Sequence, residues 1–231
     1  MTTLTLVRHG QASFGGANYD HLSELGHRQS RILGEHWRKL GIGFDACYSG
    51  ELMRQRDTAM RLLEGLGQPP EFVIDPAFDE YDFISIMRAY MPVVAREAGE
   101  LQIDAARVYT EPKLFQAVFE RCIDCWFAGR EHEHDPFETW GAFCERVIAG
   151  LRKVATQDRE HVVVVTSGGV IAVALREALG LADNVAFQLN WRINNASVHS
   201  FALGRRGFSL LGYNNVAHLE LAGESELLTF R

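Results

Sequence analysis

Four consecutive valines, Val162 to Val165, stand inside the stretch HVVVVT, and this run constrains the fold more than any other part of the chain. A strand with no polar alternate is buried on both faces, as a central strand of a parallel sheet is when helices cover each side. Ser167, Gly168 and Gly169 follow at once and open an apolar helix over 170–179. The same succession of strand, polar turn and helix occurs at the N-terminus. There Leu4, Thr5, Leu6 and Val7 read as a buried strand, and Arg8, His9 and Gly10 break it. Beyond a loop over 11–20 that holds Gly15, Gly16, Asn18 and Asp20, Ser23 caps a helix carrying Leu25, Ile32, Leu33, Trp37 and Leu40 to an end near Gly41. A strand over 44–48, a turn at Ser49 and Gly50, and a helix over 51–66 repeat the unit, and 72–74 reads as a further short strand. Such alternation predicts a three-layer α/β/α fold around a mostly parallel sheet. The segments 197–203 and 208–213, joined by Gly204, Arg205, Arg206 and Gly207, read as a hairpin, which makes the sheet mixed at its edge.

Between 84 and 136 the pattern is helical, with one clear helix over 113–127 and a charged turn over 130–135, before another helix over 138–156 leads to the valine strand. The chain of 231 residues is therefore expected to be a single domain, 1–231, with 84–136 as a helical insertion forming a lid over the active site. A net charge of −7 with no long Lys/Arg run argues against nucleic acid as a partner. The start, MTTLTLVR, lacks the pattern of an export signal. The most apolar stretch, 162–175, is interrupted by Thr166, Ser167, Gly168 and Gly169, which argues against a membrane span. Four cysteines do not build a disulfide scaffold, so a cytoplasmic location is expected.

Polar groups collect where strands end. Arg8 and His9 follow the first strand, Ser49 with Arg54 and Arg56 the second, Glu80 the third, and Ser167, Gly168 and Gly169 the valine strand. In open α/β sheets ligands bind off the carboxyl ends of the strands. The set offers an imidazole nucleophile, guanidinium forks, a carboxyl acid and helix N-terminal amides, an inventory for phosphoryl transfer.

In these residues the chain resembles the histidine phosphatase superfamily, the phosphoglycerate mutase-like group. VRHGQ at 7–11, LSELGHRQ at 22–29, YSGELMRQRDTA at 48–59, FDEYDF at 78–83 and VVVVTSGGVIA at 162–172 carry the resemblance over nearly the whole length. It implies that His9 is the phospho-accepting nucleophile, that Arg8 and Arg54 bind phosphate, Arg54 two positions after Leu52, and that Glu80 is the proton donor to the leaving oxygen. Gln11, Ser13, Ser167 and Gly168 are the further substrate-binding residues expected. No metal and no cofactor is implied. The activity implied is that of a metal-independent phosphatase that hydrolyses a small-molecule phosphoester or a phosphoprotein through phosphohistidine and releases inorganic phosphate, with no nucleic acid and no membrane as partner. No motif speaks to oligomeric state.

The chain departs from the family pattern where a second histidine usually precedes a glycine at the end of the central strand. Ser167 stands there. A hydroxyl donates a hydrogen bond but carries no positive charge, and removing one preorganised donor typically costs roughly 100- to 1000-fold in rate. This keeps open a catalytically impaired phospholigand-binding protein, a sensor or adaptor, and also a phosphomutase. His199 and His21 are the imidazoles that could replace the missing one. Where the family often has an asparagine after the nucleophile, Ser13 or Asn18 could serve. The pair Cys122 and Cys125 falls within an apolar helical pattern and reads as helix packing, the cluster Glu131 to Asp135 as a solvated loop, and Trp140 and Trp191 as buried aromatic packing.

Overall fold

The computed structural model describes residues 1–13, 20–97, 105–155 and 158–230. Asn18 and Thr156 lie outside the described residues. Two compact units are present, Met1–Glu80 with Arg146–Arg231, and Tyr81–Glu145.

Among the described residues of the first unit, six strands form one sheet: β1 (Thr2–Arg8), β2 (Ala46–Ser49), β3 (Glu71–Ile74), β4 (His161–Thr166), β5 (Val198–Gly204) and β6 (Gly207–Asn215). Their order is β3-β2-β4-β1-β5-β6. β4 runs parallel to both β1 and β2, and β2 parallel to β3, whereas β5 and β6 are antiparallel. All four valines of β4 are wholly buried, as their composition requires. Alternation divides them between faces. Val163 and Val165 join Val7 and Cys47 against Leu33 and Trp37 of α1 (Glu24–Lys39) and Leu62, Leu63 and Leu66 of α2 (Met53–Leu66). Val162, Val164, Leu4 and Leu6 turn to the opposite face, where α7 (Gly168–Leu179) packs on β1.

Three of the expected boundaries move around the site. Phe44, expected inside a strand, stays outside β2, and its ring lies 4.8 Å from Trp37. The second helix starts at Met53, since the backbone of Leu52 before it is extended (φ −60°, ψ 134°), and the N–H of Glu51 is taken by Asp79 Oδ1 at 2.6 Å. α7 begins at Gly168, with Ser167 at the N-cap position. Ser23 does cap α1, its hydroxyl accepting from Gly26 N at 3.0 Å. A helix over Asp183–Asn190, α8, has no counterpart in the sequence reading.

The second unit is helical, with α3 (Phe83–Glu97), α4 (Ala105–Thr110), α5 (Pro112–Phe127) and the first turns of α6 (Trp140–Ala155). It extends beyond the expected 84–136 because Tyr81 and Phe143 belong to its aromatic core. Tyr81 lies 5.4 Å from Trp126 and 5.8 Å from Phe143, and Trp126 lies 5.2 Å from Trp140. Cys122 and Cys125 are buried within α5, and burial pushes the Cys122 thiol up to about 12. Among the described residues no three His, Cys, Asp or Glu side chains are grouped to hold a metal ion. No described helix is long and apolar enough to cross a membrane.

Candidate active site

His9 is the first residue beyond β1, and its backbone N–H donates to Thr166 O at 2.8 Å, extending the β1–β4 ladder by one step. Ser167, the first residue beyond β4, therefore lies at the neighbouring strand end. The loop is held tightly. Gly10 N donates to Thr58 Oγ1 at 2.9 Å, and a Cβ on Gly10 would stand 2.5 Å from Gly26 O, so only glycine lets the loop lie against the start of α1.

The hydrogen bonds of the His9 ring fix its tautomer. Arg54 Nε lies 3.3 Å from His9 Nε2, and a guanidinium only donates, so Nε2 presents its lone pair. Nδ1 then carries the proton and donates to Gly10 O at 2.7 Å. Burial, and then the charges of Arg54 and Arg8, hold the imidazole pKa well below its ordinary value, so the ring is neutral at neutral pH. A buried neutral imidazole with its Nε2 lone pair directed at a guanidinium has the electronic form of a phosphoryl acceptor.

Arg54 sits in the first turn of α2 and is held by a residue that sequence reasoning treated only as part of a turn. Asp20 Oδ1 accepts from Arg54 Nη1 at 2.7 Å, and Asp20 Oδ2 accepts from Met53 N at 2.9 Å. Leu52 at the N-cap has no side-chain acceptor, so Asp20 caps α2 from a distance. Replacing Asp20 with alanine is expected to cost about 1 kcal/mol of stability in denaturant unfolding. Asp20→Asn, which keeps a capping oxygen, is expected to retain most of it.

Glu80 and Ser167 meet at the N-terminus of α7. Glu80 Oε2 accepts from Gly169 N at 3.1 Å, so one of the helix N-terminal amides expected to face a ligand is engaged by the carboxylate. The Ser167 hydroxyl makes no capping bond, contrary to its position, and instead accepts from Gln55 Nε2 at 2.8 Å. A Cβ on Gly168 would fall 1.8 Å from Asn190 Oδ1, so any larger residue at this helix start requires the Asn190 side chain to move.

The remaining expected residues make other contacts. Arg8 Nη1 donates to Phe230 O at 3.0 Å and also to Ile193 O. Gln11 Oε1 accepts from Ser23 Oγ at 2.8 Å, and Ser13 Oγ donates to Leu22 O at 3.1 Å, so both stabilise the loop after His9. Arg56 is exposed on α2. His199 is wholly buried, and both its ring nitrogens are used: Nδ1 accepts from Asn214 N at 3.2 Å and Nε2 donates to Ser197 Oγ at 3.0 Å. It is a core histidine with both ring nitrogens satisfied. The backbone carbonyl of His21 accepts from Ser13 N at 2.8 Å.

Comparison with known proteins matches residues 4–216 to the model of the histidine phosphatase superfamily (branch 1). The chain belongs to this superfamily. Among curated relatives, the 2,3-bisphosphoglycerate-dependent phosphoglycerate mutase of Brucella ovis (strain ATCC 25840 / 63/290 / NCTC 10512) is 36% identical over 88 residues. That stretch covers 35% of this chain and 43% of the mutase, so the chain spans less than half the length of the curated relatives it matches. The fold is that of the phosphoglycerate mutase from Bacillus anthracis str. Sterne, with a TM-score of 0.63 at 17% identity over 96% of this chain and 97% of that one. The α-ribazole phosphatase from Shigella flexneri aligns with a TM-score of 0.62 at 18% identity, over 93% and 97% of the two chains. A mycobacterial glucosyl-3-phosphoglycerate phosphatase, solved with VO3, aligns at 0.60 and 22% identity, over 93% and 99%.

Proposed function

We propose that the protein is a phosphatase that hydrolyses a small phosphomonoester through a phosphohistidine on His9. The observation that supports this most directly is the tautomer of His9, whose Nε2 lone pair faces the guanidinium of Arg54. An arriving phosphate draws Arg54 onto its oxygens, and that exchange uncovers the lone pair at the place where phosphorus is held. Nε2 then attacks, an N–P bond forms and the P–O bond to the leaving group breaks. Glu80, in its acid form, supplies the proton that the departing oxygen takes up. In the second half a water gives its proton to the Glu80 carboxylate and attacks phosphorus. Inorganic phosphate leaves and neutral His9 is restored. Arg8, Gln11, Ser13, Ser167 and Gly168 complete the proposed phosphate-binding set, Ser167 through its hydroxyl. We assign the protein to a reducing cytoplasm, on a cysteine content too sparse for a disulfide scaffold.

Turnover of a γ-free reporter such as p-nitrophenyl phosphate, followed by a quench with alkali, is expected to trap one acid-labile, alkali-stable phosphate per chain at His9. Turnover is expected to persist in EDTA. Hydrolysis without trappable phosphohistidine, or hydrolysis abolished by EDTA and restored by a divalent ion, overturns the proposal. A mutase is the second reading, favoured by the partial match to a phosphoglycerate mutase. It would return an isomeric phosphoester in place of inorganic phosphate, and product analysis separates the two.

A further inference from the structure

We infer that Gln55 is a positioning residue that turns the Ser167 hydroxyl into a one-directional hydrogen-bond donor for the anion held at His9 and Arg54. The inference rests on the phosphohistidine reading and assigns a role to a residue that the proposed mechanism does not otherwise use. Gln55 follows Arg54 on α2 and is wholly buried. Its Nε2 donates to Ser167 Oγ at 2.8 Å and to Phe78 O at 3.1 Å. The second bond decides the orientation of the amide. A backbone carbonyl only accepts, so the NH2 end must face Phe78 and, with it, Ser167. Ser167 can then only accept from Gln55, and its own proton is directed elsewhere.

Among the described residues no other group takes that proton. The Ser167 hydroxyl does not cap α7, and among the described residues no acceptor for it is found. Ser167 is 1% exposed, which leaves it at the buried strand end beside His9, whose backbone N–H reaches Thr166 O. An unused donor in that position fits an anionic oxygen bound between His9 and Arg54. The protein bears a cost to keep this polarity. Gln55 Oε1 is buried without a hydrogen-bond partner and lies so close to Gly50 that a Cβ there would stand 2.0 Å away. The unmet acceptor is the counterpart of aiming both N–H groups at Phe78 O and Ser167 Oγ.

Phe78 O also accepts from Thr166 Oγ1 at 2.7 Å. Gln55 thus ties the end of β4 to the segment that ends, two residues later, at Glu80. The amide holds the proposed donor and the approach to the proposed acid in one frame.

A double-mutant cycle on kcat and KM with p-nitrophenyl phosphate tests the inference. Ser167→Ala is expected to lower kcat about 100-fold and Gln55→Leu about 10-fold, with KM changed little, and the double variant is expected to be no slower than Ser167→Ala alone. Gln55→Glu is expected to be slower than Gln55→Leu at pH 7.5, since a carboxylate turns the serine proton toward itself. Its deficit is expected to narrow as the pH falls and the acid form regains a donor. A residue that acts only through packing would give no such pH-dependent recovery. Losses that multiply in the double variant, or a folded Gln55→Leu protein (by thermal melting) with wild-type kcat, overturn the inference. His9→Ala in the same assay keeps the two proposals apart. Turnover that survives it refutes the phosphohistidine reading, whereas losses that multiply on a His9-dependent activity refute the role of Gln55 alone.

Discussion

Replacing His9 with alanine is expected to lower kcat for a generic phosphomonoester by at least about 10⁴-fold and to leave the protein folded. The size follows from the proposed role of the ring as nucleophile, whose loss removes the covalent step rather than one contact to the transition state. The fold survives because the backbone around position 9 is held independently of the ring. Its N–H donates to Thr166 O at 2.8 Å and its carbonyl accepts from Ala196 N at 3.3 Å. The Gly10 N–H to Thr58 Oγ1 bond also remains. Circular dichroism and a thermal melt establish folding, and turnover is measured alongside. A folded His9→Ala protein retaining more than about a tenth of the wild-type rate would end the assignment. The wild-type acid limb carries a second check. Burial and the two arginines depress the His9 pKa, so loss of activity through protonation of the nucleophile is expected well below pH 6.5.

Stability should fall steeply between pH 7.5 and 5.5. Three histidines are buried in neutral form. His9 is pulled well below its ordinary pKa by burial and the two arginines, His199 to about 3 by burial and then Arg8, and His218 to about 4 by burial and then His36. Above pH 6.5 these imidazoles are neutral in both folded and unfolded chains and contribute no pH dependence. Below 6.5 the unfolded chain binds protons that the native chain refuses, so unfolding is increasingly favoured until the pH approaches the depressed native values. His199 and His218 together amount to about 3 kcal/mol lost between pH 7.5 and 5.5, and His9 adds to the loss in the same direction, against a typical stability of roughly 5–15 kcal/mol. For a chain of this size the midpoint of thermal unfolding should drop by about 10 °C. Carboxylates contribute little over this range because their ordinary pKa values lie near 4. His199→Gln removes one of the three groups, so the slope of stability against pH should flatten by about a third, whatever that variant does to absolute stability. A melting temperature flat from pH 7.5 to 5.5 would contradict the burial of neutral imidazoles.

Much of the architecture was legible because burial leaves periodic traces. The valine run of β4 could only be central, and Ser23 could be read as a cap because a short polar side chain before an amphipathic stretch has a local role. The boundaries that moved were governed by contacts from elsewhere. Asp79 takes the amide of Glu51, and the ring of Phe44 packs tilted against Trp37 of α1. The second compact unit runs from Tyr81 to Glu145, and Tyr81 and Phe143 join it by aromatic packing that no periodicity records.

By itself the sequence determined where strands end and which side chains those ends carry, since the alternation of apolar runs with polar turns is a local property of the chain. It brought His9, Arg54, Glu80 and Ser167 to the ends of elements. Only the tertiary structure decided what each of them does with its hydrogen bonds. His9 meets Arg54 across 45 residues and Gln55 meets Ser167 across 112, while Asp20 reaches 34 residues to cap α2 and hold Arg54. The tautomer of an imidazole, the direction of a hydroxyl proton and the orientation of an amide each depend on which partner lies within about 3 Å. That is a consequence of packing at long range, and no local pattern of residues encodes it.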